Sequence, residues 1–178
     1  MTTVGIDPGL DGAIAILDAN GAAEFVVDMP TVTIRDRREI DGSAVAGYIS
    51  AVPLSTLVCI ERVPDFMRGD HGHPLQVARL HAAAGLVRGI AIGCGLRVRG
   101  LTPTQWRALV MPTTKTRRDM ARRMGITVKD ESLAAARRLF PTMELNLAKH
   151  EGRAEALLIA RAGWLLGCGE MRVEVWGL

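Results

Sequence analysis

At 178 residues the chain is long enough to bury one ordinary core and too short to need two, so it reads as a single domain over residues 1–178. Apolar residues make up 48% and charged residues 23%, which excludes a disordered chain, and no apolar run approaches the roughly 18 residues of a membrane-spanning helix. Lys and Arg exceed Asp and Glu by 22 to 19 with a pI of about 9.1, a balance too mild to name a partner by itself.

The basic residues are unevenly spread. Between Arg97 and Lys129 the only acid is Asp119, and Arg107, Lys115, Arg117, Arg118, Arg122 and Arg123 all fall in this block. Such a run either meets phosphates or forms a solvated helical face. Cys59, Cys94 and Cys168 are widely spaced and set among apolar residues or glycine, the pattern of reduced thiols. The start, Met1-Thr2-Thr3-Val4, has no basic leader and runs straight into apolar sequence, so no signal peptide is expected.

Taken in order, Val4-Gly5-Ile6 predicts a buried strand that ends on Asp7 and the turn pair Pro8-Gly9, with Gly12 to Leu17 returning as a second strand. Glu24 to Pro30, entered through Asn20-Gly21, completes an antiparallel meander. Thr31 to Arg38 reads as a polar loop. Ile40, Val45, Ala46 and Ile49 at helical spacing predict a first helix over 40–51, started by Asp41 or Ser43. Leu57 to Glu61 is a central strand that also ends on an acid, and 63–74 is a loop rich in Gly and Pro. A long helix follows from Leu75 to Gly93, then a strand over Arg97 to Leu101. Thr102-Pro103-Thr104-Gln105-Trp106 has the form of a capped helix start. Helices are expected over Glu131 to Phe140 and Glu151 to Leu166, with a short strand over Met171 to Trp176.

The order β-β-β-α-β-α-β-α-α, with acids at the ends of the first and fourth strands, differs from a doubly wound nucleotide fold, whose first strand closes on a glycine-rich loop. If those strands are neighbours, Asp7 and Glu61 leave the sheet side by side. Glu151 and Glu155 lie four residues apart on one helical face, in line with Leu158 and Ala162. Four acids without matching cations repel one another unless a divalent ion neutralises them, and oxygen-only ligation suits Mg²⁺, with Mn²⁺ able to substitute. Two such ions about 3.5 to 4 Å apart promote in-line displacement at phosphorus, so the chemistry expected is phosphodiester hydrolysis.

Gly5-Ile6-Asp7-Pro8-Gly9, Ile60-Glu61 and the run from Glu151 to Ala160 resemble, in order and spacing, the motifs of RuvC-type Holliday junction resolvases, particularly the small bacteriophage versions. Thr102 to Arg107 and Ala136 to Pro141 resemble further segments of the phage-type members. The resemblance spans positions 3 to 166. It implies an α/β, ribonuclease H-like fold: a mixed five-stranded sheet whose first three strands form an antiparallel meander, flanked by helices. It also implies a homodimer in the cytoplasm of a bacterial or phage-infected cell, with four-way branched DNA junctions as partner and no membrane. Two Mg²⁺ ions would be held by Asp7, Glu61, Glu151 and Glu155. The helix acids are often Asp in that family and are Glu here, and His150 precedes them at what reads as an exposed helix start.

For DNA contact, Phe66 in the loop after Glu61 is placed to stack on an unpaired base or to fold onto the core. Arg68 beside it and Lys115, Arg117 and Arg118 are candidate phosphate partners, Lys115 foremost near the scissile group. Two rival readings stay open: a junction-binding protein that does not cut, and an actin-like ATPase or kinase-related domain, which would need a second acid-tipped lobe.

Overall fold

A side-chain period of two along each strand gives the central sheet two distinct faces. In the computed structural model, which describes residues 1–63, 74–111, 123, 125, 127–147 and 150–168, that alternation builds two cores. Strands β1 (Thr3–Asp7), β2 (Ala13–Leu17) and β3 (Ala23–Asp28) form the antiparallel meander that the sequence predicts. Strand β4 (Thr31–Ile34) pairs with β5 (Arg37–Ile40) in a separate two-stranded sheet. Strand β6 (Leu57–Glu61) then lies parallel to β1, and β7 (Arg97–Leu101) lies parallel to β6. The sheet order is β3-β2-β1-β6-β7, a mixed five-stranded sheet.

On one face Val4, Ile6, Ile14, Val58 and Ile60 pack with Val45 and Ile49 of helix α1 (Gly42–Ser50) and Val87 and Ala91 of helix α2 (Pro74–Gly93). On the other, Ala13, Ala15, Leu17, Cys59 and Leu101 pack with helices α3 (Pro103–Val110), α4 (Val128–Leu139) and α5 (Glu151–Cys168). Helix α5 lies directly on β1 because Gly5 has no side chain. A Cβ there would stand 2.2 Å from the carbonyl oxygen of Ala156 and 2.3 Å from the amide nitrogen of Ala160. The helix starts are set by side chains: Asp41 caps α1, while Thr102 with Gln105 and Thr127 with Asp130 form capping boxes for α3 and α4.

The segment read as a loop, Thr31 to Arg38, is instead the β4–β5 hairpin, whose two-residue turn places Arg35 and Asp36 at φ 48° and 61°. The hairpin is hard to see in the sequence because Val32 and Ile34 are exposed and its turn has no glycine. Ile40, read as the first residue of a helix, closes β5, and α1 starts after Asp41. Phe66, Arg68, Lys115, Arg117, Arg118 and the predicted strand at Met171 to Trp176 lie outside the described residues. Among the described residues no helix is long and apolar enough to cross a membrane.

Candidate active site

The parallel register sets Ile6 beside Ile60, so the next residue of each strand, Asp7 and Glu61, leaves the sheet at the same edge. Both continue the face that carries Gly5 and Cys59, the face α5 covers. Asp7 Oδ1 accepts a hydrogen bond from the Gly9 amide at 3.2 Å, so the Asx-type turn and the placement of an acid at the strand end are one feature. The first turn of α5 closes onto this turn. A Cβ on Gly152 would stand 2.3 Å from the Asp11 carbonyl oxygen. Arg153 adds a bidentate contact to Asp28 at the end of β3, at 2.6 and 2.9 Å.

Glu61 Oε2 accepts a hydrogen bond from Trp106 Nε1 at 2.9 Å, and Trp106 is fully buried. Glu155 Oε1 accepts one from Arg107 Nη2 at 2.9 Å and a longer one from the Ser132 hydroxyl at 3.4 Å. The Arg107 guanidinium lies over the Trp106 ring, 4.6 Å from its centroid. Burial pushes the Glu61 carboxyl up to about 7, the Trp106 hydrogen bond opposes that, Glu155 and Asp7 push it further up, and Arg107 pulls it down. The structure therefore couples Asp7, Glu61 and Glu155 electrostatically. Glu151, half-buried, opens α5 one turn before Glu155.

These acids offer only oxygen, and their mutual repulsion at Glu61 is the condition a hard divalent cation relieves, so the donor set fits Mg²⁺ in its chemistry. They are not a preassembled cage: among the described residues no three of His, Cys, Asp and Glu stand close enough to hold one ion. His150, which reads as exposed in the sequence, is buried at 3% exposure, with Nδ1 lacking a hydrogen-bond partner among the described residues.

Three participants escape sequence reasoning: Trp106, Arg107 and Ser132. Arg107 belongs to the basic block read as a phosphate-facing or solvated run, yet its partner is Glu155. The available signal was the Thr102–Gln105 capping box directly after β7, which turns α3 back over the end of β6, where Leu101 pairs with Glu61. On the opposite face of the sheet a cleft of about 240 Å³ also reaches Glu61, lined by Arg62, His81 and Arg88 beside Ile60 and Val98.

No family model matches the chain. No curated protein matches it either. Solved structures do. The RuvC of Thermus thermophilus in complex with a Holliday junction substrate superposes with a TM-score of 0.59 at 18% identity, covering 95% of this chain and 96% of that one. A second Thermus thermophilus RuvC structure gives 0.56 at 19% identity over 94% and 96%. At these identities the likeness is one of fold, and it runs almost end to end: the chain has the RuvC fold, the ribonuclease H-like architecture that the motif resemblance implied.

Proposed function

We propose that the chain is a structure-selective endonuclease that resolves four-way DNA junctions by paired, metal-dependent phosphodiester hydrolysis. The observation that carries the reading is the convergence of Asp7, Glu61 and Glu155 at one edge of a RuvC fold, a fold whose Thermus thermophilus representative was solved with a Holliday junction substrate. Asp7, Glu61, Glu155 and Glu151 are the residues that would hold two Mg²⁺ ions, with Mn²⁺ substituting. Such ions, when bound, supply Lewis acidity for the attacking water and the leaving oxygen.

In this reading the rigid end of β1 sets Asp7 as the shared acid, Glu61 faces it from β6, and α5 brings Glu155 across. The cleft cations Arg62 and Arg88, with His81 beside them, offer the backbone a path toward Glu61. Phe66 is assigned to the junction crossover, and Arg68, Lys115, Arg117 and Arg118 to phosphates. A homodimer would match the near-twofold symmetry of a junction. Leu86 and Ile92 of α2, 44% and 52% exposed, support a second copy covering that helix, and light scattering should return twice the 19.2 kDa chain mass.

A junction-binding protein that does not cut is the second reading. Glu151 and Glu155, each one methylene longer than the Asp often found there in the resembled family, favour it. A labelled four-way junction and a matched linear duplex, incubated with Mg²⁺ or with chelator, separate the two. Paired nicks confined to the junction and to Mg²⁺ support the resolvase, binding without nicks supports the second reading, and equal behaviour toward both DNAs sinks both.

A further inference from the structure

Two consecutive residues of α3 each grip a different carboxylate. Trp106 Nε1 takes Oε2 of Glu61 and Arg107 Nη2 takes Oε1 of Glu155, both at 2.9 Å. Successive residues on a helix point about 100° apart, so α3 must sit between the two acids to bring both donors to bear. Its seat is well determined. Thr102 and Gln105 close its start with reciprocal hydrogen bonds at 3.2 and 2.9 Å, Trp106 is fully buried, and the Met111 amide returns to the Arg107 carbonyl at 2.8 Å. The indole also backs the guanidinium at 4.6 Å.

The two grips are one-sided. Ser132 adds its hydroxyl to the same Glu155 oxygen that Arg107 holds, at 3.4 Å. Each acid thus commits one oxygen to protein donors and keeps a second, Oε1 of Glu61 and Oε2 of Glu155, that accepts no hydrogen bond among the described residues. A carboxylate fixed at one oxygen has its free lone pairs aimed, which is how an outer hydrogen bond orients a metal ligand.

We infer that Trp106 and Arg107 are positioning residues: one short helix orients Glu61 and Glu155 together, binding one oxygen of each to the protein and presenting the other to a divalent cation. The inference rests on the reading of these acids as metal ligands. Partners of this kind change metal affinity by about 10- to 100-fold when removed.

The test measures Mn²⁺ binding to the full chain by calorimetry without DNA, for the wild type, Trp106→Phe and Arg107→Gln. Thermal midpoints and junction affinity in chelator are measured on the same samples. Both variants should bind Mn²⁺ about tenfold more weakly. Should Trp106→Phe fail to fold, Arg107→Gln decides, since that side chain is 30% exposed. Three results would overturn the inference while leaving the metal reading intact: wild-type Mn²⁺ affinity in both variants, tighter Mn²⁺ binding by Arg107→Gln, or weakened junction binding with Mn²⁺ affinity retained. A wild type that binds no Mn²⁺ refutes the metal reading itself, and the inference with it.

Discussion

The two faces of the sheet are packed by different means. Under α1 and α2 the contacts are branched side chains, Val45, Ile49, Val58, Ile60 and Val87, and α2 leaves Leu86 and Ile92 partly exposed. Under α5 the closest approaches are to main chain, Gly5 letting the helix backbone meet β1 and Gly152 letting its first turn meet Asp11 and Gly12, with Ala13, Leu17 and Cys59 packed around them. Every acid of the candidate site belongs to this second face. A side-chain interface relaxes around a lost methyl, whereas a backbone interface has nothing to yield. The site-bearing face therefore has its geometry set by the main chain, and the opposite face keeps some latitude.

Substitutions that add or remove single groups should separate the faces. The largest effect belongs to Gly5→Ala, which forces a Cβ into the Ala156 carbonyl and should cost about 3 kcal/mol or more in denaturant unfolding. A loss under 1 kcal/mol would show that α5 can lift off β1 cheaply, and the contrast between faces would go.

Next is Glu61, whose buried carboxyl titrates near pH 7 in the fold against an ordinary value of 4.5. Below 4.5 it is protonated folded and unfolded, so it contributes no pH dependence there. Between 4.5 and 7 the unfolded chain releases the proton first, so stability falls as pH rises, and above 7 the full cost is present. Glu61→Gln in chelator should therefore be more stable than wild type at pH 8 by an amount on the order of 2 kcal/mol, with the gain gone near pH 4. An advantage that does not vary with pH would remove burial and acid crowding as its cause.

On the tolerant face, Ile49→Val deletes one buried methylene and should cost about 1 kcal/mol in the same unfolding measurement. The smallest expected change is at Ile92. Ile92→Gln should move chain stability by less than about 0.5 kcal/mol while shifting the mass seen by light scattering from dimer to monomer. An unshifted mass would take α2 out of the proposed dimer.

What the sequence made legible follows from range. The five strands of the main sheet announce themselves through local alternation and apolar runs, α1 and α3 through caps close to their starts, and α4 through its amphipathic run, read from Glu131 where the helix starts at Val128. Asp7 and Glu61 were visible because each ends an apolar run, and Glu155 because its helical line continues into Leu158 and Ala162, both fully buried. The β4–β5 hairpin was missed because neither side of it is buried enough to impose a pattern, and because its positive φ values fall on Arg35 and Asp36. Trp106 and Arg107 were missed for a different reason. Their role exists only once α3 folds back over β6, a contact between residues 45 and 48 positions apart that no local pattern encodes. Gly5 looked like an ordinary strand residue beside the more conspicuous Pro8-Gly9 turn; its importance lies in what α5 places against it.

The account turns on Asp7, the acid that β1 ends on and that α5 and β6 converge toward. The most direct measurement pairs cleavage and binding of a labelled four-way junction by wild type and Asp7→Asn, in Mg²⁺ and in chelator. The account predicts symmetric nicks by the wild type in Mg²⁺ alone, and no nicks by Asp7→Asn despite junction binding close to that of the wild type. Cutting retained by Asp7→Asn, or undiminished in chelator, would contradict it.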